Sequence, residues 1–114
     1  MPGKRILCVE SQAKHLRTLT QMLIRRGFQV LTATSGAQAV EALAHNDVDG
    51  VLVEYNLPDL NGAAVRHRMK ILRPDVPVLL FSGVGDQTPY MVRFLDAYLH
   101  QQAPPIDPLQ DLVT

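Results

Sequence analysis

The chain alternates between two hydrophobic periods, and this alternation constrains its fold more than any other feature. Short continuous apolar runs recur at residues 5–9 (RILCV), 50–53 (GVLV) and 78–81 (VLLF). Such runs are typical of strands that are buried on both faces of a parallel sheet. Segments with apolar residues three or four positions apart separate the runs, and they predict helices. The alternation therefore predicts an α/β domain with helices on both faces of one parallel sheet.

Local signals place the boundaries of these elements. Ser11 and Ser35 are predicted to cap the first two helices, because a side-chain oxygen at the N-cap accepts a free backbone N–H. A third helix is predicted over 63–72, and Tyr90–Leu95 is predicted to form at most a short one. The predicted strands are 5–9, 28–33, 50–53, 78–81 and a fifth at Ala97–Leu99.

Length, charge and cysteine content exclude several classes of protein. A chain of 114 residues fits one domain, 1–114. Eleven basic and eleven acidic side chains cancel, so no overall charge draws the domain to nucleic acid or to an anionic membrane. No apolar stretch approaches the roughly 18 residues of a membrane span. The single cysteine, Cys8, has no partner for an internal disulfide, and we interpret it as a small buried hydrophobe. These features predict a cytoplasmic domain.

The polar residues that follow the predicted strands are the candidate site. In doubly wound sheets, ligands bind at the carboxyl ends of the strands, where the strand order reverses. Acidic or hydroxyl side chains stand at three of these ends, and "VEYNLPDLNG" places a lone Glu54 before a turn rich in Pro and Gly. The strand-end residues are Glu10-Ser11, Glu54, Ser82-Gly83 and His100-Gln101.

Four motifs in this order resemble the receiver domain of two-component response regulators. They are "ILCVES", "VLVEYNLPDLNG", "PVLLFSG" and "DAYLHQQ", and together they span a core of residues 4–102. The resemblance implies a flavodoxin-like fold, a doubly wound five-stranded parallel sheet with strand order 2-1-3-4-5. The segment between Ser82 and Gln101 is shorter than is usual in the family, so the fourth helix is expected to be shortened or absent. The sequence leaves open whether the chain is a whole protein or a domain cut from a longer one.

The chain departs from the family pattern at the residues that carry its chemistry. By the resemblance, Glu54 stands at the phosphoacceptor position, where the family has Asp. Ser11 replaces the second residue of an acidic pair of which Glu10 is the first, and Gln101 replaces a Lys. The resemblance implies that Ser82 and Tyr98 are the residues of the conformational switch, and both are kept.

These departures predict a degenerate receiver that lacks enzymatic activity and works as a phosphorylation-independent interaction module. Glu10, Glu54 and Asn56 are weak candidate Mg²⁺ ligands, and we expect no resident metal or cofactor. The expected partner is a signalling protein or an effector domain. A homodimer through the face of helix 4, strand 5 and helix 5 is the other expected assembly, with no nucleic acid and no membrane.

Other functions remain open from the sequence. The main alternative is an active receiver that accepts a phosphoryl group on Glu54 from a histidine kinase. A flavodoxin-like small-ligand binder is a third, and Glu10 with Glu54 as an acid–base pair is a fourth. His100 is predicted to lie beside the site. The basic helix edge of Arg66, Lys70 and Arg73 either meets an acidic partner or is a solvated face.

Overall fold

The computed structural model describes residues 3–85, 87–100 and 112–113. Within these ranges strands and helices alternate along the chain, as the hydrophobic periods predict. The elements are β1 (Arg5–Val9), α1 (Ala13–Arg25), β2 (Gln29–Ala33), α2 (Gly36–His45), β3 (Gly50–Glu54), α3 (Gly62–Leu72), β4 (Val78–Phe81), α4 (Thr88–Leu99) and β5 (Leu112–Val113).

The strands form one parallel sheet in the order β2-β1-β3-β4, with β5 beside β4. In the register of the central strands, Leu7 of β1 lies between Leu31 of β2 and Val51 of β3. Because β1 lies between β2 and β3, the strand order reverses there, and the carboxyl ends of β1 and β3 meet at the switch point. The predicted order of the first four strands is confirmed.

The two faces of the sheet bury separate apolar clusters. Side chains alternate along β1, so that Leu7 and Val9 face one cluster and Ile6 and Cys8 face the other. The first cluster lies under α2 and α3, and the second lies under α1 and α4. Cys8 is fully buried, and burial with the nearby charge of Glu10 raises its pKa to about 12. The thiol therefore stays protonated and packs as a small hydrophobe, as predicted.

The fourth helix is the main difference from the sequence prediction. It is neither shortened nor absent, and it covers residues 88–99, including the residues 97–99 that were predicted to form strand five. The physical reason is a helical spacing of buried side chains, since Met91, Val92 and Leu95 all pack on the sheet. Pro89 lies in the first turn, where its missing N–H costs nothing. The fifth strand lies at Leu112–Val113 instead.

The direction of α4 moves Tyr98 and His100 away from the predicted site. The helix begins beyond the carboxyl end of β4 and runs back along the sheet. A methyl group built on Gly50, the first residue of β3, would lie 3.4 Å from Leu99 Cδ1. Tyr98 and His100 therefore lie at the amino-terminal edge of the sheet, so the prediction that His100 lies beside the site is wrong, while the switch role of Tyr98 stays a prediction. Gln101 lies outside the described residues.

Two smaller predictions are also corrected. The N-cap of α1 is Gln12, without a side-chain cap, and Ser11 precedes it. Ser35 does cap α2, because its hydroxyl oxygen accepts a hydrogen bond from Gln38 N at 3.2 Å. In the described part of the chain, none of the helices combines the length and the apolar character needed to cross a bilayer.

Candidate functional site

Glu54 ends β3 with its carboxylate turned into the fold rather than into solvent. Its side chain is buried, with 5% of the residue exposed. One oxygen, Oε1, accepts a hydrogen bond from Asn56 N at 3.2 Å. The other, Oε2, accepts one from Gly83 N at 2.9 Å, in the loop that follows β4. The carboxylate thus joins the carboxyl ends of β3 and β4, and both of its oxygens are engaged.

Glu10 lies at the end of β1 beside Glu54 and is even less exposed, at 1%. Its Oε1 accepts a hydrogen bond from Gln12 N at 3.1 Å and lies 3.5 Å from His15 Nδ1. Its Oε2 is buried and receives no hydrogen bond from the described residues. A buried acceptor without a donor is costly, so this oxygen is the least satisfied atom of the site.

The proximity of the two carboxyl groups changes the acidity of Glu10. Burial raises its pKa above the usual range, the backbone N–H of Gln12 lowers it, and the charge of Glu54 raises it again. Two ionised carboxylates can only accept hydrogen bonds, whereas a proton on Glu10 makes it a donor to Glu54. Burial and the charge of Glu54 therefore make Glu10 harder to ionise than an exposed Glu.

The turn after β3 folds back tightly against the strand end. Asn56 and Asn61 form an antiparallel bridge across the turn, and Gly62 N donates to Tyr55 O at 2.6 Å. Asn61 then caps α3, because its Oδ1 accepts a hydrogen bond from Ala64 N at 2.9 Å. This return places the Asn56 amide where Glu54 can accept its hydrogen bond.

The same turn also fixes the start of α2. The carboxylate of Asp59 accepts hydrogen bonds from Gly36 N and Ala37 N, both at 2.9 Å. These backbone donors lower the pKa of Asp59, and they are free N–H groups at a helix N-terminus. Asp59 in "NLPDLNG" is therefore a structural acid that ties the turn to α2.

Gly62 is required by this close return, which makes it a sharp test of the turn. A Cβ at Gly62 would lie 2.6 Å from Glu54 O and 2.7 Å from Tyr55 Cα, and neither backbone atom can move cheaply. We expect Gly62→Ala to lower the free energy of unfolding by about 1–3 kcal/mol in urea titrations. Gly85→Ala is the control, because its nearest neighbour would lie 3.5 Å away, at the end of the Gln87 side chain. Equal stability of the two variants would contradict the geometry.

A small cavity of about 200 Å³ opens over the carboxyl pair. Of the residues predicted from the sequence it brings together Glu10, Glu54, Asn56 and Ser82, while Ser11 is not among the described residues that line it. The sequence interpretation missed His15, which reaches the cavity from the first turn of α1. Its position five residues after Glu10 was the available signal. The lining residues are Glu10, Gln12, His15, Glu54, Asn56, Ser82 and Gly83.

The basic edge of α3 is engaged within the fold. Lys70 Nζ donates to Pro74 O at 2.9 Å and to Val76 O at 2.8 Å, and it thereby holds the loop before β4. Arg66 Nε donates to Val78 O at 3.1 Å. Arg73 pairs with Asp47 at 3.3 Å. These contacts favour a structural role for this edge over a role in partner binding.

The donor set at the cavity does not fit a Mg²⁺ site. Both oxygens of Glu54 accept backbone hydrogen bonds, and Oε1 of Glu10 accepts one from Gln12 N. Mg²⁺ demands near-octahedral oxygen ligands and gives up its waters reluctantly. Across residues 3–85 and 87–100, no group of three or more His, Cys, Asp or Glu side chains is arranged to hold a metal ion.

The fold and site together define a class of protein. A doubly wound parallel sheet in the order 2-1-3-4, with a carboxyl pair at the switch point and a hydroxyl at the end of the fourth strand, is the architecture of a flavodoxin-like signalling domain. A family profile described as "Response regulator receiver domain" matches residues 6–102. The chain belongs to this family, the receiver domains of two-component signal transduction.

Curated relatives agree with this assignment. The chain is 32% identical over 98 residues to the transcriptional regulatory protein PrrA of Mycobacterium tuberculosis, which covers 83% of this chain and 42% of that protein. It is 26% identical to the sporulation initiation phosphotransferase F of Bacillus subtilis, over 75% of this chain and 69% of that protein. The chain spans less than half the length of the first of these relatives.

Solved structures show the same fold. A CheY-like receiver domain protein from Methanospirillum hungatei superposes with a TM-score of 0.76 at 18% identity, covering 88% of this chain and 96% of that one. A sensor protein from Polaromonas gives 0.79 at 22% identity, covering 90% and 100%. The response regulator TrrA of Thermotoga maritima, solved in complex with Mg²⁺ and BeF, gives 0.69 at 21% identity, covering 84% and 80%.

Proposed function

We propose that this receiver domain is a phosphorylation-independent interaction module without enzymatic activity. The observation that carries the proposal is the hydrogen bond of 2.9 Å from Gly83 N to Glu54 Oε2. The longer side chain of Glu carries the carboxylate across from β3 to the loop after β4. A backbone N–H in that loop therefore already has an anionic acceptor, without any added phosphoryl group.

Phosphoryl transfer makes demands that this site meets poorly. The reaction depends on positioning and on neutralising charge rather than on covalent help from the protein. A nucleophilic carboxylate must present an oxygen lone pair in line with the phosphorus, and two backbone hydrogen bonds fix both oxygens of Glu54 toward the adjoining loops. Burial raises the pKa of Glu10, and Ser11 is uncharged. The cavity therefore holds less negative charge than a site with acidic residues at both positions 10 and 11.

In this proposal the Glu54 carboxylate forms a permanent link between β3 and the loop after β4, in place of reversible phosphorylation. It ties β3 to the loop that contains Ser82, so the loop stays in one arrangement. A fixed state needs only a few kcal/mol of difference from its alternative to dominate the population. The output is then constant, and the partner is a signalling protein or an effector domain. A homodimer remains a second expected assembly.

Intact-mass spectrometry in the presence of acetyl phosphate and Mg²⁺ tests the proposal. We expect the mass of the chain to stay unchanged, because backbone hydrogen bonds fix both oxygens of Glu54 and the donor set at the cavity does not fit Mg²⁺. Glu54→Gln is the matched control, since it keeps the size of the side chain and removes the nucleophile. A stoichiometric phosphoryl adduct on the natural chain that disappears in Glu54→Gln would overturn the proposal and establish an active receiver.

A further inference from the structure

Two aromatic side chains are exposed on successive turns of α4. Tyr90 is 68% exposed and Phe94 is 38% exposed. Aromatic residues are scarce in this chain, which has three Tyr and three Phe, so two of them exposed on one helix face are notable. They lie four residues apart, so they share one face of the helix. Arg93 stands between them on the same exposed side. Aromatic residues and Arg are enriched among the residues that contribute most of the binding free energy at protein interfaces.

The aromatic residues border a groove between α1 and α4. The groove consists of two adjoining depressions of about 820 Å³ and about 480 Å³. They share Arg26, Arg93 and Asp96 in their walls. Tyr90 and Phe94 line the first, and Met22 and Pro89 line the second. Apolar and charged side chains therefore line the groove together.

The charge of this α1–α4 groove is strongly one-sided in a chain of zero net charge. Arg25, Arg26 and Arg93 surround it, and among the described lining residues the only acid is Asp96. Asp96 is already bonded to Arg26 at 3.1 Å and lies 3.0 Å from His100 Nδ1. Its charge is therefore offset within the groove, and the guanidinium groups of Arg25 and Arg93 are exposed to solvent.

We propose that the α1–α4 groove binds an acidic amphipathic helix of a partner protein. The apolar face of such a helix fits between two packed helices, where Tyr90 and Phe94, one turn apart on α4, and Met22 on α1 offer apolar anchors. Its acidic flanks meet Arg25 and Arg93, which bind carboxylates in a planar, bidentate geometry. This proposal names the partner chemistry of the interaction module, and it rests on the proposed function only in requiring that the domain act by binding a protein.

Charge argues against a second copy of the chain in the same groove. A two-fold dimer brings the same patch of both copies together, so Arg25 and Arg93 of each protomer would face like charges. An acidic helix gains attraction from the same residues. The groove also lies away from the carboxyl pair, so occupation of one does not block the other.

A pair of synthetic peptides tests the proposal on the full chain. The probe is a helical peptide of about 16 residues with Leu at every third or fourth position and Glu flanking the Leu stripe. Its match carries Lys in place of every Glu. We expect the Glu peptide to bind with a dissociation constant in the micromolar range by fluorescence anisotropy and the Lys peptide to bind at least tenfold more weakly.

Charge-reversal variants locate the binding surface. Arg93→Glu is expected to weaken binding of the Glu peptide at least tenfold and to restore some binding of the Lys peptide. Arg68→Glu makes the same change on the exposed side of α3, on the other face of the sheet, and is expected to leave binding within about twofold. Tyr90→Ser tests the aromatic anchor and is expected to weaken binding about tenfold.

Three outcomes would contradict the proposal that the α1–α4 groove binds an acidic helix. They are equal binding of the two peptides, no binding of either, or equal losses in Arg93→Glu and Arg68→Glu. Concentration-dependent light scattering that Arg93→Glu abolishes, without peptide binding, would assign the surface to self-association instead. Measuring binding again after treatment with acetyl phosphate separates this proposal from the proposed function. A phosphoryl adduct on Glu54 with unchanged peptide binding would overturn the proposed function, while the proposal that the α1–α4 groove binds an acidic helix would stand.

Discussion

A chain that carries Ser11→Asp and Glu54→Asp is expected to take up one phosphoryl group from acetyl phosphate and Mg²⁺, where the natural chain takes up none. Asp at position 54 is shorter by one methylene, so its carboxylate no longer spans to Gly83 N, and that amide becomes available to a phosphoryl oxygen. Asp at position 11 supplies a second charged ligand for the metal.

The expected increase in phosphorylation rate follows from how strongly phosphoryl transfer depends on the placement of the reacting groups. A displacement of about 1 Å costs roughly 100-fold in rate, and one missing donor to a developing anion costs about 100- to 1,000-fold. Glu54→Asp alone is therefore expected to give slow, partial labelling, and the double variant is expected to give faster and more complete labelling by intact mass.

The control for this experiment is the double variant with Asn, rather than Asp, at position 54, which should not be labelled. A double variant that folds normally by circular dichroism and still stays unlabelled would show that the defect lies elsewhere than in these two residues. The interpretation of the site as a degenerate phosphoacceptor centre would then be wrong.

The buried strands were the part of the fold that the sequence predicted best. The bounds of β1 and β4 match the prediction because these strands are buried on both faces, so their apolar runs are continuous and begin and end abruptly. The end of the chain was predicted poorly. Residues 97–99 have the composition of a strand, but they continue the helical spacing of Met91, Val92 and Leu95. A three-residue apolar run cannot by itself distinguish these two structures.

The acids of the site were predictable, and their partners were not. Strand ends placed Glu10 and Glu54 at one edge of the sheet, because parallel strands end together. The hydrogen bonds to Gly83 N and Asn56 N depend on how two loops return, and Gly83 adopts a φ of 75° that the sequence does not announce. Asp59 contacts α2 across more than 20 residues of chain, a separation at which local patterns carry no information.

Glu10→Gln is expected to stabilise the fold at neutral and alkaline pH, although it removes an acid of the site. The amide oxygen of Gln can still accept the hydrogen bond from Gln12 N, and its NH₂ group can donate to Glu54. The buried acceptor Oε2 of Glu10, which has no donor among the described residues, is thereby replaced by a donor. A hydrogen bond to a charged group contributes about 1.5–3 kcal/mol. We expect the free energy of unfolding at pH 8 to rise by about 1–2 kcal/mol in urea titrations. Glu41→Gln, on the exposed side of α2, is the matched control and should change it by less than about 0.5 kcal/mol.

The pH dependence of this difference identifies its cause. Burial first, and then the charge of Glu54, raise the pKa of Glu10 in the fold above its unfolded value of about 4.3. The folded state therefore prefers the protonated acid, and this contribution to stability is fully present below pH 4.3 and is lost as the pH rises through the folded-state pKa. The natural chain and Glu10→Gln should consequently be nearly equal in stability at pH 4 and should diverge toward pH 8. A difference in the free energy of unfolding that stays constant across this range would mean that titration of Glu10 is not its cause, because only a titrating group produces a difference that grows with pH.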